Sequence, residues 1–401
     1  MVKGDLFIAG GNLRTRARDV YAAFVEAAGG PGGRFAVLGA ASKVPRSGFE
    51  FFRNSLTSLG VEPSRIELLP VAAAVPGWEG GARDPAVAER AASASGIWML
   101  GGDQNALADI LLEPDGTDGP LLAAIRRANE SGAPLGGSSA GAAVMSDPMI
   151  AGGTSFGALA LPRASKPADI EISRALYMRR GLGFFPVGIV DQHFDARARL
   201  GRLLEACLAE EGGRRPGFGI AEDTALVWRA AEGRAEVLGA GGVYVADVRN
   251  AVRDRVPEGG RDRIRILGVR LHYLTEPDTY RPSDRTVEFR GKEPLDPEDP
   301  SFDVPRPQAS GILSEYGTLA DFAFRLLLDN KPEGLLRDPA RGFPYARSFL
   351  FEDGDDGRAH AWEIRLGLEE GRTRGWTGDR FGFENVLIDI LPAEIEIILS
   401  R

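Results

Sequence analysis

The chain has 401 residues, too many for one average domain, and its 43% apolar and 26% charged residues are the balance of a globular protein. A formal net charge of −9 argues against a nucleic-acid partner, which would require a basic face. The single cysteine, Cys207, excludes an internal disulfide and fits a reducing compartment.

Taken in order, Met1-Val2-Lys3-Gly4-Asp5 passes straight into Leu6-Phe7-Ile8-Ala9, a buried-strand run stopped by Gly10-Gly11, so no signal peptide is expected. No apolar run approaches the roughly 18 residues of a membrane span. The expected address is the cytoplasm, with no membrane partner. Val20, Phe24 and Ala27 then share one helical face. Residues 34–39 read as a second strand, ended by Ala40-Ala41-Ser42, and Phe49, Phe52, Leu56 and Leu59 mark the next helix. Ile66-Glu67-Leu68-Leu69 is a third strand. A helix over 85–95 leads to Ile97-Trp98-Met99-Leu100 and then to Gly101-Gly102-Asp103-Gln104. Residues 121–129 are helical and precede Ala133-Pro134-Leu135, the end of another strand. Strands alternate with helices and are continuously apolar. That pattern predicts an α/β fold with a parallel sheet covered by helices on both faces. Such sheets place their sites at the carboxyl ends of strands. Gly10-Gly11, Ala40-Ala41-Ser42, Gly101-Gly102-Asp103-Gln104 and the turn after Leu135 should therefore meet.

That last turn is Gly136-Gly137-Ser138-Ser139-Ala140-Gly141-Ala142-Ala143-Val144-Met145, in which Gly137-x-Ser139-x-Gly141 fits a nucleophile elbow. The neighbours of a strained serine must be tiny, and the following amide, Ala140, can face a developing oxyanion. A chain with 52 glycines produces such a pentapeptide by chance, so the elbow alone decides little.

Residues 152–180 lack any period and read as a long loop of the kind that forms lids. Phe184-Phe185-Pro186-Val187-Gly188-Ile189-Val190 reads as a strand delivering Asp191-Gln192-His193-Phe194. Arg197, Arg199 and Arg202 follow on a helix running to about Ala209. Gly217-Phe218-Gly219-Ile220 leads into residues 221–228, a hairpin with 235–238, and residues 242–245 and 264–273 look like closing antiparallel strands. Near Asp278 the composition changes. Pro282, Pro294, Pro297, Pro300, Pro305 and Pro307 stud a polar linker. Beyond it a helix over 319–328 and strand patterns at 348–351, 386–390 and 395–398 suggest a smaller β-rich appendage. The division expected is 1–282 and 283–401.

A serine nucleophile needs a base that titrates near neutrality, and the chain has three histidines. His272 lies in a strand pattern and reads as packed or surface; His360, in an acidic turn, reads as surface. His193 closes an apolar strand at the edge where Ser139 should lie. Glu222 leads as the carboxylate that orients the base, because residues 218–221 point it at the same edge, with Asp223 and Asp191 as alternatives. The oxyanion donors would be the Ala140 amide and that of Gly102 or Asp103. Arg197 and Arg199, with Gln104 and Gln192, could hold a substrate carboxylate, or the arginines could form a solvated helix face. No metal or cofactor is called for.

Taken together, Gly101-Gly102-Asp103-Gln104, residues 137–145, Asp191-Gln192-His193-Phe194 with Arg197 and Arg199, and Gly219-Ile220-Ala221-Glu222-Asp223-Thr224-Ala225 resemble the cyanophycinase branch of the S51 serine peptidases. Their order and approximate spacing match over roughly residues 5–282. The resemblance implies a flavodoxin-like, class I glutamine-amidotransferase-type fold and a homodimer. It also implies Ser139 as nucleophile, His193 as base and Glu222 as acid, with Gln104, Asp191, Gln192, Arg197 and Arg199 lining the pocket. The family substrate is cyanophycin, a polyaspartate bearing arginine on each β-carboxyl, cut to β-Asp-Arg dipeptides. Three departures stand out. Ser138 replaces a usual Thr, Ala221 precedes the Glu where an Asp is usual, and compact members lack the region after about 283. Two other readings are a dipeptidase for α-aspartyl or isoaspartyl peptides and a non-catalytic binding protein on the same fold.

Overall fold

A computed structural model describes residues 3–72, 75–166, 174–208, 214–258, 261–302, 308–310, 319–331, 336–353 and 359–395. Ala209, Pro305, Pro307, residues 167–173 of the expected loop and 396–398 of the last expected strand lie outside this set.

Five short strands form a parallel core: β1 (Leu6–Ala9), β2 (Phe35–Leu38), β3 (Ile66–Leu69), β4 (Gly96–Met99) and β5 (Leu135–Ser138), in the order β3-β2-β4-β5-β1. β1, β2 and β4 are unbroken apolar runs buried along their whole length, as cover on both faces requires, while the edge strand β3 carries the half-buried Glu67. On one side α1 (Ala17–Ala27) and α2 (Pro45–Thr57) bring Val20, Phe24, Phe49 and Phe52 against Phe7, Phe35, Val37 and Trp98. On the other, α3 (Pro85–Ala92), α4 (Gln104–Leu111) and α5 (Pro120–Glu130) bring Val87, Leu107, Leu121 and Ile125 against Ile8, Leu38, Ile97 and Met99. The sequence reading missed α4, although Asp103 marks its start: the carboxylate accepts from the Asn105 amide at 2.8 Å. β5 carries glycine where its neighbours carry bulk, because a Cβ on Gly136 would lie 2.0 Å from the Trp98 ring.

After β5 comes one short turn of helix, α6 (Ala140–Ala143). Next is β6 (Met149–Gly152), and the segment expected as a loop from 152 holds α7 (Ser155–Ala160) and β7 (Tyr177–Arg179), the latter paired antiparallel with β6. Of the strand expected over 184–190 only β8 (Ile189–Asp191) forms. Pro186 has no amide for a ladder, and Phe184 and Phe185 are buried in the core instead. Helix α8 (Leu200–Leu208) starts later than expected, so Arg197 and Arg199 lie in the turn before it.

The expected hairpin exists as β10 (Thr224–Arg229) and β11 (Arg234–Gly239), and β10 lies antiparallel beside β1. With β15 (Thr279–Arg281) and β16 (Thr286–Glu288) it extends the parallel core into a mixed nine-stranded sheet. β8 and its parallel neighbour β9 (Gly217–Ile220) do not join that sheet. They edge a second one through β12 (Gly242–Asp247) and the long β14 (Arg261–Thr275), which also pairs with β13 (Val252–Glu258).

The other edge of β14 takes β23 (Gly382–Ile395), with Ile266 opposite Ile390 and Leu271 opposite Val386. Outward from β23 come β21 (Ala359–Gly367), β20 (Pro344–Asp353) and β18 (Gln308–Ser310). The short β17 (Glu293–Pro294), β19 (Leu336–Arg337) and β22 (Arg374–Thr377) pair along the sides. Helix α9 (Leu319–Ala323) continues as a π-turn over Phe324–Leu328, and Phe322 and Leu327 bury against this sheet. The C-terminal strands therefore share one ladder with β8 and β9.

Candidate active site

Ser139 leaves β5 with φ +54° and ψ −111°, a conformation that costs energy for any L-residue and turns its side chain out of the sheet. Its amide donates to the Ala9 carbonyl at 3.0 Å, tying the elbow to β1. The flanking glycines are sterically required. A Cβ on Gly137 would come 2.3 Å from the Gly141 carbonyl oxygen, and one on Gly141 2.3 Å from that of Met99.

His193 follows β8, its amide bonded to the Gly10 carbonyl at 2.8 Å. Its Nε2 lies 2.8 Å from Ser139 Oγ and its Nδ1 2.6 Å from Glu222 Oε1. Glu222 comes from the end of β9. Gly11, at φ +106°, lies flat against the imidazole, where a Cβ would sit 2.3 Å from the ring. The Asn12 side chain, one residue on, hydrogen-bonds Glu222. Sequence reading stopped at Gly10-Gly11 and missed it; its place at the carboxyl end of β1 was the available signal.

The other two carboxylates weighed for the same role are engaged elsewhere. Asp223 accepts the amides of Arg14, Thr15 and Arg16. Asp191 is buried and takes Arg202 bidentately, Nε to Oδ2 at 2.7 Å and Nη2 to Oδ1 at 2.5 Å. Neither of the other two histidines approaches Ser139's base position. His272 is buried, which pushes it down to about 4, and His360 lies in β21, not in a turn, against Arg263 Nη2 at 2.7 Å.

Burial holds the His193 imidazole below its ordinary value, Arg197 adds to the depression, and the Glu222 hydrogen bond opposes it. For Glu222, burial works upward, but the hydrogen bonds from Asn12 and His193 outweigh it and the carboxyl lies below its usual range. The pair is thus set as neutral imidazole and carboxylate at neutral pH.

Among the described residues the amides of Ala140 and Gly102 donate to no protein acceptor, and Gly101 packs against Ser139, its imaginary Cβ 3.2 Å from the serine Cβ. The Asp103 amide, the alternative oxyanion donor, is engaged: it donates to the Ala41 carbonyl at 2.8 Å while its side chain caps α4. Gln104 turns its amide nitrogen to the Ala151 carbonyl at 3.0 Å, holding β6.

The residues expected to line the pocket separate into two groups. Arg199 donates to the Gln192 carbonyl and, at 2.7 Å, to Gln192 Oε1, and it faces Asp191 at 3.4 Å. Burial pushes this guanidinium down to about 10. Asp191, Gln192, Arg199 and Arg202 thus form a buried cluster under the turn, not a solvated helix face. Arg197 is the exposed one, its amide bonded to the His193 carbonyl at 3.1 Å. No described helix is long and apolar enough to cross a membrane.

The sequence model of Peptidase family S51 matches residues 7–235. A cyanophycinase of Synechococcus elongatus is 31% identical over 285 residues, 71% of this chain and 80% of that protein. One of Geminocystis herdmanii is 32% identical over 278 residues, 69% of this chain and 92% of that protein. A solved peptidase from an acI-B1 Actinobacterium covers 61% of this chain and 91% of its own, with 22% identity and a TM-score of 0.47. The matched stretch contains Ser139, His193 and Glu222, and with it the chain belongs to peptidase family S51, peptidases of the serine type.

Proposed function

We propose that this peptidase hydrolyses cyanophycin to β-Asp-Arg dipeptides through an acyl-enzyme on Ser139. One observation carries the reading: the unbroken chain from Ser139 Oγ through His193 to Glu222. As Oγ adds to the scissile carbonyl, His193 Nε2 takes its proton, and Glu222 holds the Nδ1–H and balances the imidazolium. The oxyanion faces the amides of Ala140 and Gly102, fixed before the charge develops. Helix α6 has only four residues, so the amide itself matters here more than a macrodipole. His193 returns the proton to the leaving amine, then draws one from the water that cleaves the ester. Cyanophycin as substrate is supported by the relatives' names and by the exposed Arg197 guanidinium beside the triad, suited to a chain-end carboxylate. By the same resemblance we read the enzyme as a cytoplasmic homodimer, with residues 1–282 as the peptidase.

Incubation with purified cyanophycin and mass analysis of the products tests this. β-Asp-Arg is the expected product. Turnover of aspartyl dipeptides without polymer cleavage would favour the dipeptidase, and absence of fluorophosphonate labelling the binding protein. Arg197→Ala should raise KM for the polymer by roughly tenfold while labelling by a small fluorophosphonate stays near the parent rate.

The pH profile follows from the direction of the His193 shift. A base must be neutral, so kcat/KM should rise with pH along a limb centred below 6.5 and be flat by neutrality. Removing Arg197 removes a cation that disfavours the imidazolium, so Arg197→Ala should move that limb upward. A limb unmoved in that variant would take Arg197 out of range of the base.

A further inference from the structure

The turn that carries His193 is held from behind by one side chain of the second sheet. Tyr244, on β12, is fully buried, and its ring packs on Phe194, the residue after His193, with centroids 5.0 Å apart. Its hydroxyl accepts the Ala320 amide of α9 at 2.9 Å and faces the carboxyl of Asp195, one residue further on, where it favours the anion. The turn itself closes through Ala198 N to the Asp195 carbonyl at 3.0 Å and Arg199 N to the Phe194 carbonyl at 3.1 Å. A displacement of Asp195 is thus a displacement of the imidazole.

Packing alone does not fix this turn. A mainly apolar cavity of about 80 Å³ separates it from the C-terminal strands, lined among others by Phe194, Asp195, Leu319, Phe322, Phe349 and Ile390. Side chains beside a void lose contacts on that side and can shift into it. Asp195 Oδ1 is sealed from water without a partner, and the Tyr244 hydroxyl is the group that acts to keep this carboxyl ionised. Burial pushes the carboxyl up to about 6, with Asp321 of α9 adding to the rise, which makes the tyrosine hydroxyl the more necessary for the anion.

We propose that Tyr244 is a positioning residue through which the C-terminal region, by way of α9, fixes the His193 turn against Ser139. The family model ends at residue 235, before Tyr244 and α9, so this buttress belongs to the part of the chain beyond it. The proposal rests on the roles given above to Ser139 and His193.

Full-length Tyr244→Phe keeps the ring on Phe194 and removes only the hydroxyl. It should label with a small fluorophosphonate about tenfold more slowly, well below its melting temperature, with kcat down similarly and KM within about twofold. Asp195→Asn keeps an oxygen that can accept from Tyr244 and should label within about twofold of the parent, while Asp195→Leu should follow Tyr244→Phe. A purely structural role would lower Tm and leave the labelling rate of the folded protein alone. Labelling of Tyr244→Phe at the parent rate therefore overturns the proposal; should that variant fold poorly, parent-rate labelling of Asp195→Leu does the same. His193→Ala separates the two layers. If it too labels at the parent rate, the reading of the site has failed, whereas loss of labelling there with none in Tyr244→Phe refutes Tyr244 alone.

Discussion

Ser139→Ala should lower turnover of a peptide substrate by about 10⁴-fold or more, while Ser138→Ala keeps most of it. The two serines are adjacent and chemically identical, so the difference between them is geometric. Ser138 is still in β5, in register with Ala9 of β1. Ser139 has left the ladder at φ +54°, which carries its Oγ to 2.8 Å from His193 Nε2. Without that proton transfer a serine hydroxyl is a weak nucleophile at neutral pH. The substitution removes one exposed-side oxygen and adds no bulk, so melting temperature should hardly change. Steady-state rates and fluorophosphonate labelling on both variants check the expectation. Comparable activity in the two would remove Ser139 from the nucleophile's place.

Arg202→Met should destabilise the fold by about 3–5 kcal/mol without touching the triad directly. Asp191 is 1% exposed, and the bidentate Arg202 is its principal counter-charge; what remains is Arg199 at 3.4 Å, already shared with Gln192. The cost comes less from losing a favourable pair than from leaving a carboxylate in a place that water cannot reach. Removing both charges together, in Asp191→Asn with Arg202→Met, should recover a large part of the loss. Urea unfolding is the measurement: a lower midpoint at an unchanged slope is expected for the single variant. A midpoint equal to the parent's would mean the cluster is hydrated or otherwise compensated. Because Asp191 ends β8, two residues before His193, the single variant should also lose activity, and the double variant should regain it with the midpoint.

Much of this arrangement was legible in the chain. A strand buried on both faces has no polar side to show, so Leu6-Phe7-Ile8-Ala9 and Ile97-Trp98-Met99-Leu100 announce a covered parallel sheet by themselves. Small residues mark close approaches, and the elbow glycines could be read that way, whereas at Gly11, read only as a strand stop, the fold shows that the imidazole leaves no room for a Cβ. That Ser139, His193 and Glu222 each follow a strand end could likewise be read locally. Local sequence does not say which strand lies beside which. β8 and β9 look like members of the parallel sheet, yet they pair toward β12, and the residues they carry reach Ser139 from a second sheet. The carboxylates near His193 are alike in sequence. Only the fold shows that Asp223 is taken by three amides and Asp191 by Arg202, leaving Glu222 to the imidazole. The stretch after the proline-rich segment reads as an appendage because its pattern changes there. Its place was decided by the far edge of β14, where Leu271 finds Val386 more than a hundred residues later. Burial and steric limits act within a few residues and are written into them. Ladder partners and counter-charges are chosen across the chain by whatever hydrogen-bond edge or desolvated charge is left unsatisfied, and they exist only once it has folded.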